Sequence, residues 1–135
     1  MTRRQPLTFF AALLLAGCHG NALGGADEGN LVAARKAVPD GTKVFNLYCA
    51  SCHGEHGVAP GVVPVMGPGA LRSSFGTGLD LLRYLEATMP PGPSARDLSP
   101  ADYVAVTEYL LRVQGVAVPE PFDARSAASV QLRAR

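Results

Sequence analysis

The sequence has few cysteines, no long apolar run and no excess of one charge. Its 135 residues contain 12 Lys or Arg and 11 Asp or Glu, so there is no basic surplus to neutralise phosphates, and we expect no nucleic-acid partner. The sequence has three cysteines but no second Cys-x-x-Cys and no His-x-x-x-His. It therefore does not provide the four ligands of a structural zinc site. The apolar run from Leu7 to Ala16 is too short to span a bilayer stably.

The pentapeptide Cys49-Ala50-Ser51-Cys52-His53 carries the strongest chemical signal in the chain. The Cys-x-x-Cys-His run is the attachment signature of a covalently bound c-type haem. Each thiol can add to one vinyl group of the porphyrin, and the histidine beside the second thiol donates an imidazole nitrogen to the iron. The motif therefore predicts one haem c, attached through Cys49 and Cys52 and ligated by His53.

Two other chemistries use a Cys-x-x-Cys pair. A zinc site needs further ligands, and the third cysteine, Cys18, lies far away in sequence. A thioredoxin-type dithiol follows a buried strand in a βαβ unit, whereas Gly41 to Tyr48 has a helical pattern and no series of parallel strands is visible. Haem attachment is the interpretation that the sequence favours.

The first 17 residues have the pattern of a secretory leader. Arg3 and Arg4 precede the apolar run, which ends in Leu15-Ala16-Gly17-Cys18. These four residues resemble a bacterial lipobox, and this resemblance implies that Cys18 is lipidated and becomes the mature N-terminus. We therefore expect an anchor in a membrane of the bacterial cell envelope, with the haem domain facing the periplasm. The alternative, a single-cysteine haem at Cys18-His19, lacks a first thioether sulfur because position 15 is leucine.

The rest of the chain divides into three segments. Residues 18–39 are poor in large apolar residues, which predicts a flexible tether. Residues 40–116 form the predicted domain. Residues 117–135 are predicted to be a mobile C-terminal tail, or alternatively a docking element. Without its leader the chain keeps ten basic against eleven acidic residues, a net charge near −1.

Three helices are predicted within the domain. The first spans Gly41 to Ala50 and is capped by Asp40, and the second spans Leu79 to Ala87. The third has Ser99 as its N-cap, with Pro100 and Asp102 in its first turn. Between the first two, Gly54 to Gly78 has no sustained period, so it needs a ligand as its packing surface. A folded unit limited to residues 40–116 has a marginal core, so we expect the haem-free chain to be largely unfolded.

From Asp40 to Gly115 the sequence resembles the class I, small monohaem cytochromes c. The resemblance depends on the attachment motif after a first helix, a later Met-Pro and a last helix with aromatic residues. It implies an all-α fold, with three main helices and irregular loops around one covalently attached haem. It also implies that the first and last helices cross at Gly41, Phe45 and Tyr109, and that the carbonyl of Pro68 accepts a hydrogen bond from His53.

Three residues are candidates for the sixth iron ligand: Met66, Met89 and His56. His56 lies too close in sequence to His53 to cross to the other side of the porphyrin. Met66 precedes Gly67-Pro68, which with Leu71 resembles the family's turn on the proximal side of the haem, and this resemblance implies a core role for Met66. Met89 follows a helix and precedes a stiff Pro-Pro turn, so Met89 is the predicted ligand.

Ligation by His and Met occupies both axial positions of the iron and leaves no open site for a substrate. The sequence therefore predicts a one-electron carrier rather than an enzyme. Its partners would be a redox protein that donates electrons and one that accepts them, with no small-molecule substrate. It would act alone or as the haem subunit of a dehydrogenase or oxidase complex. Two alternatives are a five-coordinate haem enzyme or gas or peroxide sensor, and a structural lipoprotein without haem.

Overall fold

The computed structural model describes residues 26–67 and 69–133. The regular secondary structure of the described residues is helical, and their only β-pairing is an isolated antiparallel bridge between Thr77 and Gln131. This confirms the expected all-α class. The helices, in chain order, are α1 (Glu28–Ala37), α2 (Pro39–Val44), a π-helical turn (Phe45–Cys49), α3 (Ala50–His53), α4 (Gly78–Thr88), a 3₁₀ turn (Pro93–Asp97), α5 (Pro100–Val113) and α6 (Ala124–Ala127).

Helix α5 is the central element, against which α1, α2 and α4 all pack. Its predicted start is confirmed. The Ser99 hydroxyl accepts from the Asp102 N–H, and the Asp102 carboxylate accepts from the Ser99 N–H at 2.8 Å. This reciprocal cap fixes the first turn of the helix that carries most of the core.

Helix α2 crosses α5 at the predicted contact. A Cβ on Gly41 would lie 2.8 Å from the Tyr109 Cβ and inside contact distance of the Ala105 carbonyl. The rings of Phe45 and Tyr109 meet at a centroid distance of 5.6 Å. The two helix backbones can approach this closely because residue 41 has no side chain.

The predicted start of the first helix is wrong by two residues. Helix α2 begins at Pro39, with Val38 as N-cap and no side-chain cap, so Asp40 lies inside the first turn rather than before it. Proline is favoured at this position because its missing N–H would have no helical partner. Helix α4 also begins one residue earlier and ends one residue later than predicted, and it is capped by Thr77 and Asp80.

The described part of the predicted tether differs from the expectation. Residues 28–37 form α1, with Asp27 as N-cap accepting from the Asn30 N–H. Leu31 is fully buried and Ala34 nearly so. Two buried residues one turn apart suffice here because α5 supplies the facing apolar surface.

The C-terminal segment is also packed rather than free. It forms the short helix α6, and Ala127, Val130 and Leu132 are at most 4% exposed. Ala127 and Val130 lie beside Gly78 at the start of α4, a contact between segments far apart in the sequence that no local pattern indicates. The segment is therefore not the mobile tail that the sequence predicts, and whether it also docks on a partner stays a prediction.

The described residues between Gly54 and Gly76 form turns, bends and irregular chain, as predicted. The left-handed φ of 76° at Gly54 ends α3. Within the described residues, no helix is long and apolar enough to cross a membrane.

Candidate functional site

The two motif cysteines lie on consecutive turns at the end of the first helical stretch. The chain widens into the π-helical turn Phe45–Cys49 before it resumes as α3. Such insertions are frequent at functional sites because they change the direction of the side chains that follow. Both thiols are free; Cys49 is half-buried and Cys52 is exposed.

The environment of Cys49 disfavours its thiolate. Burial, and secondarily the neighbouring Cys52, raise the pKa of the Cys49 thiol to about 11. A thiol with a pKa in this range stays protonated at neutral pH. Cys49 is therefore a poor thiolate nucleophile here, which argues against a thioredoxin-type dithiol.

His53 ends α3, and its ring is held by a loop. The ring Nδ1 lies 3.2 Å from the carbonyl oxygen of Val63. Because a carbonyl can only accept, this hydrogen bond requires a proton on Nδ1, and in the neutral imidazole the lone pair is then on Nε2. Such a bond fixes both the tautomer and the direction of a metal-ligating imidazole.

Pro68, the predicted acceptor for this histidine, lies outside the described residues, so its role stays a prediction. No sequence pattern indicates Val63 as this acceptor, because its position depends on the path of an irregular loop. Cys18 likewise lies outside the described residues.

A cavity of about 600 Å³ opens beside the motif. Its volume lies in the range of small-molecule and cofactor sites. Among the described residues that line it, none is Asp, Glu, Lys or Arg. The lining residues are Phe45, Tyr48, Cys49, Cys52, His53, Val62, Val63, Pro64, Val65, Ala70, Leu71, Ser74, Phe75, Tyr84, Leu85, Met89, Pro90, Pro91 and Leu110.

Of the three candidates for a second axial ligand, Met89 alone lines this cavity. Met89 is the C-cap residue of α4, where its N–H donates to the Leu85 carbonyl. Met66 is fully buried in the core, as its predicted packing role requires, and His56 is exposed on a loop. The fold thus brings one thioether to the cavity that holds the two thiols and the imidazole.

One aromatic pair in the cavity wall was missed by sequence reasoning. The rings of Phe75 and Tyr84 meet at a centroid distance of 5.3 Å and an angle of 54°. Phe75 belongs to an irregular segment and Tyr84 to the exposed face of a helix, so neither periodicity nor spacing indicates their contact.

The donor set and the wall fit a porphyrin. Among residues 26–67 and 69–133, no three His, Cys, Asp or Glu side chains form a group that could hold a bare metal ion. An iron brought by a macrocycle needs fewer protein ligands, and His53 is a candidate for one. Cys49 and Cys52 provide the two thiols to which a haem c would be attached.

The helical fold and this site define a c-type cytochrome domain. The model of one protein family, described as cytochrome c oxidase, cbb3-type, subunit III, matches residues 36–110. The chain belongs to this family. No curated protein and no solved structure gave a match.

Proposed function

We propose that this protein is a one-electron carrier with a single covalently attached haem c, ligated by His53 and Met89. The observation that carries the proposal is that Cys49, Cys52, His53 and Met89 all line the same cavity. When bound, a haem supplies an iron that cycles between the ferric and ferrous states. The side chains described above hold it and tune it.

Each side chain has a distinct role in this proposal. Cys49 and Cys52 form the two thioether bonds, and His53 ligates through Nε2 while Val63 orients its ring. Met89 supplies the thioether sulfur, which raises the reduction potential relative to a second imidazole. The described residues of the wall include no Asp, Glu, Lys or Arg, and a wall of this kind favours the less charged oxidation state of a bound centre.

The family description names a subunit of an oxidase, and this supports transfer of electrons to or from other redox proteins. We propose that the chain acts either alone or as the haem subunit of such a complex. Contacts between redox partners are typically small, so rapid dissociation from a free partner is expected.

The location in the bacterial envelope is part of the proposal, and it is supported by the leader and the Leu15-Ala16-Gly17-Cys18 pattern. A lipidated Cys18 would keep the domain at a membrane facing the periplasm. Mass spectrometry of the membrane-bound protein tests for the lipid on Cys18. Cell fractionation tests the anchor, because Cys18→Ser should lack the lipid and move to the soluble fraction. Retention of that variant in the membrane would contradict the anchor.

The ligand assignment is tested by the absorption of the ferric protein. A sulfur-to-iron bond gives a weak near-infrared band, which should be lost in Met89→Ala and kept in Met66→Ala. Met66→Ala is a matched control because it removes a buried methionine that does not line the cavity. A band that survives in Met89→Ala would reject this ligand. A ferric wild-type protein without the band would favour the five-coordinate enzyme or sensor.

A further inference from the structure

The last described residues form an arm across the start of α4. We call residues 127–133 the C-terminal strap. Ala127, Val130 and Leu132 are at most 4% exposed, whereas the strap residues between them are exposed, so one side of the strap is packed on the domain. It lies beyond residue 110, where the family match ends, and is thus an addition to the matched region.

The strap pairs with residues 73–78 through backbone hydrogen bonds. The Gly78 N–H donates to the Val130 carbonyl at 2.9 Å, and the Leu132 N–H donates to the Gly76 carbonyl at 2.9 Å. The guanidinium of Arg133 adds a third bond, at 3.3 Å to the Ser73 carbonyl. Three bonds at successive points fix both the position and the direction of the paired segment.

Little space is left between the strap and the helices. A Cβ on Gly78 would lie 3.0 Å from the Ala127 carbonyl oxygen and 3.2 Å from Leu111 Cδ1. The start of α4 is therefore held between the strap on one side and α5 on the other. An element packed this closely transmits displacements instead of absorbing them.

The segment that the strap holds is part of the cavity wall. Ser74 and Phe75 line the cavity, and Phe75 packs on Tyr84 of α4. The same helix presents Met89 at its C-terminal end, where the Met89 N–H donates to the Leu85 carbonyl at 2.9 Å. The strap thus anchors one end of the helix that carries the proposed sulfur ligand at the other.

We propose that the C-terminal strap is a positioning element for this wall, with Leu132 as its main positioning residue, and that it keeps Met89 in place for ligation. The inference rests on the proposed function of Met89. This role differs from a general contribution to stability. It requires that a strap variant loosens the Met89 side of the cavity more than a variant elsewhere in the domain that costs the same stability.

The test measures how fast added imidazole replaces the sulfur ligand in the ferric, haem-loaded protein. The exchange is a ligand substitution without electron transfer, and it requires the Met89 side of the cavity to open. Leu132→Ala should exchange faster than wild type by about tenfold or more, because it removes a fully buried side chain from the strap. Gln131→Ala should match wild type, because it removes an exposed side chain and leaves the backbone pairing intact.

The control for general stability is Leu31→Ala in α1. It deletes the same atoms from a side chain that is equally buried but does not line the cavity. If Leu31→Ala and Leu132→Ala accelerate imidazole exchange equally at equal loss of stability, the strap is only structural and the proposal fails. Leu132→Ile should restore most of the wild-type rate. Val130→Ala is a milder deletion in the strap that serves if Leu132→Ala does not fold.

Hydrogen exchange of the backbone amides gives a second readout that does not depend on the iron ligand. In Leu132→Ala the Gly78 amide should exchange faster than in Leu31→Ala at matched stability. Unchanged protection at Gly78 would overturn the proposal. Failure of the ligand assignment is seen separately, before any strap variant is made, because the sulfur-to-iron band would then be absent from the wild-type protein or would survive in Met89→Ala.

Discussion

The crossing of α2 and α5 is the contact most sensitive to one added methyl group. In Gly41→Ala the new Cβ would lie 2.8 Å from the Tyr109 Cβ and within the contact radius of the Ala105 carbonyl. Carbon atoms pack at about 3.5–4.0 Å, so the helices would have to separate by about 1 Å. No rotamer change can relieve the clash, since one partner is backbone.

Overpacking typically costs about 1–3 kcal/mol, and this backbone clash puts Gly41→Ala at about 3 kcal/mol. That is a large part of the roughly 5–15 kcal/mol that stabilises a domain. It corresponds to a melting temperature lowered by about 10–20 °C. The measurement is guanidinium unfolding of the haem-loaded protein, followed by far-UV circular dichroism and by haem absorbance.

The matched control is Gly29→Ala, the same substitution within α1. Its Cβ would meet only the end of a side chain, the Asp27 Oδ1 at 3.2 Å. Because alanine is favoured over glycine in a helix by about 1 kcal/mol, Gly29→Ala should leave the protein unchanged or slightly more stable. A Gly41→Ala protein within about 0.5 kcal/mol of wild type would refute the described crossing.

Two further predictions concern acid and the haem. The Ser99 hydroxyl and N–H lower the pKa of Asp102. The ionised Asp102 carboxylate therefore stabilises the fold above the ordinary carboxyl pKa of about 3.9, and this contribution is lost as the pH falls through the lowered pKa. Asp102→Asn should therefore lose less stability than wild type on acidification below about pH 4, and an equal loss in urea titrations at each pH would contradict this cap. Cys49→Ala/Cys52→Ala, which cannot attach haem, should lose most of its helical circular dichroism; native helix content would show that the chain folds without the cofactor.

The parts of the fold that local sequence specifies were predictable. Ser99 and Asp102 form the expected cap because the whole motif lies within four residues. The attachment motif is equally local. Met89 required one further step, the placement of a helix before it, and the structure brings it to the cavity.

The parts that failed depend on distant partners. Helix α1 buries only Leu31 and Ala34, and whether two apolar residues are enough depends on the facing surface of α5. A local signal existed in Asp27 as N-cap, with Arg35 and Lys36 in the last turn. The sequence just before the strap contains a weaker signal, the Asp123 and Ser126 cap of α6. The pairing of the strap with residues 73–78 has no local signal, because the two segments are distant in the sequence.

Helix α1 and the strap enlarge the folded unit, but they do not replace the haem as a packing surface. The packed chain is longer than residues 40–116, so its core is less marginal than a unit of that length would have. However, no residue of α1 or of the strap lines the cavity. The apolar wall formed by side chains such as Phe45, Leu71 and Leu110 therefore still needs the porphyrin as its packing surface.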